Sequence, residues 1–416
     1  MNSDTGPFCV TVRYNPFVQE AMVTINTNHN EAVHPDTASP KLRRAAPKII
    51  TQLLEHAGVQ VNGPAPWDIQ VLDKAFFRKM FSTWELGIGE SYMDGDWDCE
   101  ELDGFFHRIA STDLEQTVVG PAKIRFIVEM ARQKLLNAQS KSRAFQVGER
   151  HYDIGNDIFE SMLDSHMMYS CGYWEQAQTL EEAQLHKLQL ICRKLQLKPG
   201  ERLLDIGCGW GGLARYAATE YGVEVVGITV SKEQQKLAQE RCAGLPVTIE
   251  LTDYRDLTGQ FDKIVSVGMF EHVGPKNYDI YFNIVRDLLR PDGLFLLHTI
   301  GNFVTEKKTD AWIDKYIFPN GHLPSAKQIT TSLEGRFLIE DWHNFGRDYD
   351  KTLMAWSAKF DEAWPRLKAQ YDERFYRMWK YFLLSSAGFF RSGQGQLWQL
   401  VLSKRGRSDA YRSVRS

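Results

Sequence analysis

An acid and three glycines at alternate positions, Asp205, Gly207, Gly209 and Gly211, stand inside the run ERLLDIGCGWGGL from Glu201 to Leu213. Glycine lets a backbone approach a ligand closely, because no Cβ stands in the way. The free N–H groups of a helix starting at Gly212 would add partial positive charge there. The spacing fits G-x-G-x-G better than the dinucleotide pattern G-x-G-x-x-G. An acid two residues before the first glycine is the arrangement that holds the methionine part of S-adenosylmethionine. A lone glycine loop is weak evidence; what surrounds it here makes a bare turn the poorer reading.

Other reactive side chains fall at the ends of strand-like runs. They are Thr229 and Ser231, Asp253 and Tyr254, Gly268 to His272, and His298 to Gly301. Each alone would serve as a cap or a turn, but together they predict one crevice. Ahead of the glycine loop, Tyr169-Ser-Cys-Gly-Tyr-Trp174 puts hydroxyls, a thiol and an indole in a short span that suits a pocket wall. Behind it, residues 302–404 are rich in aromatics, among them Trp312, Tyr316, Phe318, Tyr349, Trp356, Trp379 and Phe390. Aromatics at helical spacing are core by default. Beside a crevice they also suit a fatty acyl chain, or a cation held over π faces.

These residues need a scaffold, and the apolar periodicity supplies one. Strands are expected at Arg202–Ile206, Val223–Val230, Val247–Leu251, Phe261–Val267 and Gly293–His298, the last after a turn at Arg290–Gly293. Helices are expected at Thr179–Leu195, from Gly212, at Lys232–Cys242 and at Tyr278–Leu289. This βαβ rhythm predicts an α/β fold, a doubly wound parallel sheet with ligand residues at the carboxyl ends of its strands.

Upstream, residues 41–118 read as a small α+β domain. Its helical stripe, Ile49, Ile50, Leu53, Leu54 and Ala57, stops at Gly58. Val59–Asn62 and Asp68–Leu72 alternate like strands around the turn Gly63–Pro66, and a helix is expected over Asp73–Phe81. Leu86–Asp98 reads as a solvated turn; the acids Glu90, Asp94, Asp96 and Asp98 are not in calcium-loop order, so no metal is expected. Residues 119–150 read as a linker, with a helix expected over Gly120–Asn137 and basic residues Lys123, Arg125, Arg132, Lys134, Lys141, Arg143 and Arg150. Residues 1–40 read as a polar leader expected to be poorly ordered, in which Val10–Tyr14 has the makings of an edge strand, and 405–416 read as a short tail.

The formal net charge of −4 over 416 residues gives no reason to expect nucleic acid as a partner. Cysteines at 9, 99, 171, 192, 208 and 242 match no zinc spacing, and their scatter fits a reducing cytoplasm. No apolar run approaches the roughly 20 residues that span a bilayer. The N-terminus lacks a signal-peptide pattern. A cytoplasmic protein that touches membranes only from outside is expected.

The set DIGCGWGGLA (205–214), GITVSKEQ (227–234), VGMFEHVGPKNY (267–278), LLHTIG (296–301), KYIFPNG (315–321) and EDWHNFGRDYD (340–350) resembles the cyclopropane-fatty-acyl-phospholipid synthase family. GESYMDGDWDC (89–99) and GERHYDIGND (148–157) belong to the same pattern, which runs from about residue 46 to 403. The resemblance implies a class I S-adenosylmethionine-dependent methyltransferase fold, with a helical lipid-site insertion after the fifth strand, over residues 151–404. It implies lipid binding or homodimerisation for residues 41–118, and a peripheral position at the inner membrane surface.

The reaction it implies carries the methyl of S-adenosylmethionine onto a cis double bond of a phospholipid acyl chain, and a proton then leaves so that a ring closes. Tyr169 and Ser170 are implied at the cofactor's amino acid end, with Gly207 and Gly209 beneath it. Thr229, Ser231 and Gln234 are implied near the ribose, and Asp253 and Tyr254 near the adenine; relatives often have Trp where Tyr254 stands. The implied base is a bound bicarbonate, caged by Cys171, Glu271, His298, Tyr349 and the backbone N–H of Ile300, with Glu271 and His298 as a proton relay. Relatives often carry Cys where this chain has Ser385-Ser386-Ala387, so a cysteine nucleophile is not expected there. Two alternatives remain: a sister enzyme that leaves a methyl branch, and a non-catalytic lipid-binding protein on the same fold.

Overall fold

The computed structural model describes residues 48–112, 155–306 and 309–415, except 49 and 84. Its centre is a seven-stranded sheet, built where the apolar runs lie. The strands are β1 (Arg202–Ile206), β2 (Glu224–Thr229), β3 (Val247–Leu251), β4 (Phe261–Val267), β5 (Leu289–Asn302), β6 (Leu338–Asn344) and β7 (Gly395–Ser403). Their order is β3-β2-β1-β4-β5-β7-β6. The first five run parallel, and β7 lies antiparallel between β5 and β6. Parallel strands need covered faces, which is why Leu203, Leu204, Ile264, Val265 and Leu294 to Leu297 are all fully buried.

The helices are α1 (Ala75–Thr83), α2 (Glu85–Met93), α3 (Leu102–Ser111), α4 (Asn156–Met162), α5 (Leu180–Lys194), α6 (Gly212–Tyr221), α7 (Lys232–Arg241), α8 (Tyr278–Leu288), α9 (Ala311–Tyr316), α10 (Ala326–Leu333), α11 (Asp348–Leu367) and α12 (Glu373–Ser392). Thr179 starts α5 with a reciprocal capping box to Glu182. Register aligns the carboxyl ends: Ile206 lies beside Ile228 and Ser266, and Val267 beside His298. Asp205, Thr229, Gly268 and His298 therefore share one edge of the sheet, at the point where strand order reverses.

Several expectations are corrected. The strand read as Gly293–His298 is longer, Leu289–Asn302, and the Pro291-Asp-Gly293 segment is not a turn before it. It is an irregularity within the ladder, where Phe261 pairs with Leu289 and Lys263 with Leu294. Leu86–Asp98 is not a solvated turn. It forms most of α2 and a two-residue strand, Trp97–Asp98, with Tyr92, Met93 and Trp97 buried. Gly89 makes this possible, since a Cβ there would lie 2.4 Å from the Trp312 ring. Its acids are ion-pair partners: Lys315 reaches Glu90 at 2.6 Å, and Lys79 reaches Asp94 and Asp96 at 2.7 Å each. The two strands expected around Gly63–Pro66 do not form a hairpin; Val61 and Ile69 make a single bridge, and Gln70–Val71 pairs with Trp97–Asp98.

Residues 48–112 share one apolar core with α11 and α12. Phe76, Trp97 and Phe105 lie in the same cluster as Trp356, Trp379, Tyr381 and Phe382. At Gly388 the helix α12 meets α3 so closely that a Cβ would stand 2.6 Å from the His107 backbone nitrogen. Arg391 fastens the same junction, bonded to Asp350 at 2.8 Å and to Asp103 at 2.6 Å. No helix among the described residues is long and apolar enough to cross a membrane. The expected leader strand Val10–Tyr14 and the linker helix Gly120–Asn137, with its basic residues, lie outside the described residues.

Candidate active site

The floor of the crevice is the turn after β1. Gly207, Gly209 and Gly211 all have positive φ, at 82°, 54° and 77°. At Gly207 a Cβ would meet Met269 Cβ at 2.7 Å, whereas at Gly209 it would meet nothing within 4 Å. Gly207 is thus required by packing, and Gly209 faces open space where a ligand can pass. Asp205 is buried under this turn with Oδ2 unpartnered, and burial pushes its carboxyl up to about 7. A buried acid of this kind fits a cationic partner such as an amino group, which would draw it back to the charged form.

On the β2 side, Thr229 Oγ1 donates to Gln234 Oε1 at 2.8 Å, and Ser231 Oγ accepts from Gln234 N at 3.3 Å as the cap of α7. Val230, between them, is 77% exposed, an apolar side chain at the rim of the crevice. Asp253 is engaged by Arg255, which donates from Nε at 2.7 Å and from Nη2 at 2.9 Å. The Tyr254 ring packs edge-on against Tyr281, with centroids 5.2 Å apart. These residues form a second wall with hydroxyl, amide and aromatic surfaces, the kinds of surface a ribose and a purine need.

The third wall is the segment before α5. Ser170 Oγ accepts from Lys187 Nζ at 2.7 Å, and its carbonyl accepts from Gln184 Nε2 at 2.8 Å. A Cβ on Gly268 would lie 4.0 Å from Ser170 Cβ, so Ser170 faces the end of β4. Tyr169 sits among Phe159, Trp356 and Phe318, with centroids 5.0, 5.2 and 6.4 Å away. Cys171 is buried, its Sγ donating to the Gly172 carbonyl at 3.2 Å. Burial first, then Asp348, pushes its thiol well above the usual value, so it is neutral.

Glu271 projects from a 3₁₀ turn, Phe270–His272, just after β4. Its Oε1 accepts from the Ile300 N–H at 2.6 Å, and its buried Oε2 has no partner. Burial raises its carboxyl, against the pull of the Ile300 N–H. His298, 1% exposed, lies on the neighbouring strand. Gln399 Nε2, an obligate donor, stands 3.2 Å from His298 Nδ1. With Gln399 Nε2 donating there, the imidazole proton sits on the ring's Nε2, which is buried without a partner. Burial, then the charges of Lys187 and Lys194, hold the ring neutral well below its usual pKa.

Tyr349, on the first turn of α11, joins this group. Burial raises its phenol, and Cys171, Tyr169 and Glu271 lie near enough to add to the rise. Its ring rests on Phe390 at 4.5 Å. The expected direct Glu271–His298 relay is not the arrangement seen: Glu271 is held by Ile300, and His298 by Gln399. The Ile300 N–H is likewise already given to Glu271.

Lys187, Gln184, Thr352 and Gln399 are site residues that the sequence reading missed. One signal was available for two of them. Leu180, Ala183, Gln184, Lys187, Ile191 and Lys194 form one buried helical stripe, and lysine on such a stripe is out of place unless it has a partner. Thr352 donates to the Asp348 carbonyl at 3.0 Å and accepts from Gly172 N and Trp174 Nε1, so it ties α11 to the wall.

The strand order, the crossing helices and a glycine turn with a buried acid at the end of β1 together make this chain a class I S-adenosylmethionine-dependent methyltransferase. Residues 139–400 match the family model of mycolic acid cyclopropane synthetase. Over 357 residues the chain is 57% identical to the cyclopropane-fatty-acyl-phospholipid synthase of Escherichia coli strain K12, covering 86% of this chain and 93% of that one. It is 32% identical to the tuberculostearic acid methyltransferase UfaA1 of Mycobacterium tuberculosis, over 89% of this chain and 91% of that one. Among solved structures, mycolic acid cyclopropane synthase CmaA1, complexed with SAH and CTAB, aligns with a TM-score of 0.58 and 34% identity, over 62% of this chain and 98% of that chain. The chain belongs to the cyclopropane synthase family of fatty-acyl methyltransferases.

Proposed function

We propose that this enzyme adds one carbon from S-adenosylmethionine to the cis double bond of an unsaturated phospholipid acyl chain and closes a cyclopropane ring. The observation that carries the reading is the chemistry of the pocket around Glu271. Its carboxyl lies near the neutral Cys171 thiol and the Tyr349 phenol under aromatic rings, with the neutral His298 imidazole on the adjoining strand, and no side chain among them is activated as a nucleophile. An alkene is itself the nucleophile, so the protein has to align, exclude water and move one proton.

S-adenosylmethionine, when bound, supplies an electrophilic methyl group. Asp205, Tyr169 and Ser170 would hold its amino acid end, with Gly207 and Gly209 beneath. Thr229, Ser231 and Gln234 would meet its ribose, and Asp253 and Tyr254 its adenine. Methyl addition leaves positive charge on the acyl chain. The faces of Tyr169, Trp356 and Phe318 suit such a charge without trapping it. Loss of one proton from the new methyl then closes the ring, so the lipid gains CH₂ overall.

The proton needs a base. Bicarbonate, when bound, would supply a small one. The unpartnered, buried Glu271 Oε2 and His298 Nε2 support this reading, since one can accept from such an ion and the other donate to it. Cys171 and Tyr349 complete the cage. Ile300 contributes differently from its implied role, because its N–H holds Glu271 in place.

We read the enzyme as acting at a bilayer surface, on the cytoplasmic side, because its proposed substrate is a membrane phospholipid. Phe303 and Val304, 73% and 48% exposed at the end of β5, support such a contact. We read residues 41–118 as the part that contributes lipid contact and homodimerisation, which sedimentation velocity would test. The activity test is incubation of purified protein with S-adenosylmethionine and vesicles of a cis-monounsaturated phospholipid. A gain of one CH₂ with cyclopropane proton signals supports the reading. The same gain without those signals means a methyl-branching enzyme, and failure to bind the cofactor means a lipid-binding protein.

A further inference from the structure

Two lysines of α5 are completely buried, Lys187 and Lys194. Their surroundings differ. Lys194 has a counter-charge, the Asp341 carboxylate at 3.5 Å, and a further contact to His343 Nδ1 at 3.1 Å. Lys187 has Ser170 Oγ at 2.7 Å, and among the described residues no carboxylate lies within ion-pair distance of it. Asp164 is the acid whose charge it feels most, but both Asp164 oxygens are taken by the backbone N–H groups of His166 and Met168, at 2.9 Å each. A buried cation held only by a hydroxyl is costly, and an anion arriving beside it repays that cost.

The chemistry of the contact fixes its polarity. An ammonium only donates, so Ser170 Oγ accepts from Lys187. The Ser170 proton is then directed away from Lys187. Ser170 itself faces the Gly268 turn at the end of β4, which borders the glycine loop after β1. Gln184, one turn before Lys187, pins the same residue by donating to its carbonyl at 2.8 Å. Helix α5 thus sets both the position of Ser170 and the direction of its O–H.

We propose that Lys187 is a positioning residue that, through Ser170, presents a donor backed by a buried ammonium to the α-carboxylate of the bound methyl donor. This rests on the reading that Ser170 meets the cofactor's amino acid end. A charge-assisted pair of this kind is worth about tenfold or more in affinity for the group it recognises.

The test compares, by calorimetry on the full chain, S-adenosylhomocysteine with its decarboxylated analogue, which keeps the amine but lacks the carboxylate. Wild type is expected to prefer the former by at least about tenfold. Lys187→Met should lose most of that preference by weakening S-adenosylhomocysteine alone, Ser170→Ala should do the same, and the double variant should lose no more than either. Equal weakening of both ligands in Lys187→Met, or additive losses in the double variant, would overturn the proposal. If Lys187→Met does not fold, Ser170→Ala and Lys187→Gln decide, and retained discrimination in both overturns it. A wild type that binds both ligands equally refutes the carboxylate contact at Ser170. A wild type that binds neither refutes the cofactor reading beneath it.

Discussion

Glu271 accepts the Ile300 amide proton at 2.6 Å through one carboxyl oxygen, while its other oxygen is buried with no partner. The first bond fixes the side chain to the end of β5, and the second oxygen is the one our proposal assigns to the reaction. Glu271→Gln keeps an acceptor for Ile300 but loses the proton-accepting oxygen. Turnover to cyclopropane product is expected to fall by about 10² to 10⁴. Melting temperature and S-adenosylhomocysteine affinity should stay near wild type, which mass spectrometry and calorimetry would check.

Gln399 holds His298 through Nδ1 at 3.2 Å, and the two residues are also paired across β5 and β7. Gln399→Leu removes the donor but keeps the strand. The imidazole then loses the bond that sets its tautomer, and turnover is expected to drop about tenfold. Nitrogen-15 shifts of His298 should report a proton on Nε2 in wild type and a mixture of tautomers in the variant.

Asp205 makes the apo protein pH-sensitive. Its carboxyl ionises near 3.8 in the unfolded chain and at about 7 when buried. The folded-state value is raised, so its stabilising contribution is full below about pH 4 and is lost as pH rises through about 7. The loss is on the order of a few kcal/mol at most. Between pH 5 and pH 8, wild-type apo protein should lose more melting temperature than Asp205→Asn. A cationic ligand favours the ionised acid, so cofactor binding should tighten as pH rises through about 7, with proton release below it.

The glycines of the first turn separate folding from binding. Gly209→Ala adds a methyl into open space, and its φ of 54° costs about 1 kcal/mol. It should fold, yet bind S-adenosylhomocysteine at least about tenfold more weakly. Gly212→Ala would bring a Cβ to 2.1 Å from the His166 carbonyl oxygen. That contact is with backbone, so thermal melts should show a loss of several kcal/mol or no folded protein at all.

Asp341 holds the end of the C-terminal tail. Asp341, buried on β6, pairs with Lys194 at 3.5 Å, accepts from Ser413 Oγ at 3.0 Å and is gripped by the Arg415 guanidinium. Asp341→Ala leaves Lys194 buried without its counter-charge. Denaturant melts should show a loss of about 3–5 kcal/mol.

Local sequence determined the nucleotide-binding half. Val247–Leu251 and Phe261–Val267 are strands over the residues where apolar periodicity puts them, and Gly212 begins a helix. These elements follow from short-range pattern, glycine geometry and capping, all of which are written in adjacent residues. The strand-end residues Asp205, Thr229 and His298 were legible for the same reason, because parallel strands carry their ends to one edge.

Tertiary structure alone decided the rest. Leu86–Asp98 looked polar enough for a turn, but Gly89 lets Trp312 close over it, a contact between residues more than two hundred apart. Lys187 and Lys194 were not singled out in the sequence, and the packing of α5 is what buries them. Whether Glu271 met His298 or Ile300 depended on the register of β4 against β5 and β7, which a single chain of letters does not state. The sequence determined which residues reach the crevice; only the packing of distant segments decided which of their atoms find partners and which are left for a substrate.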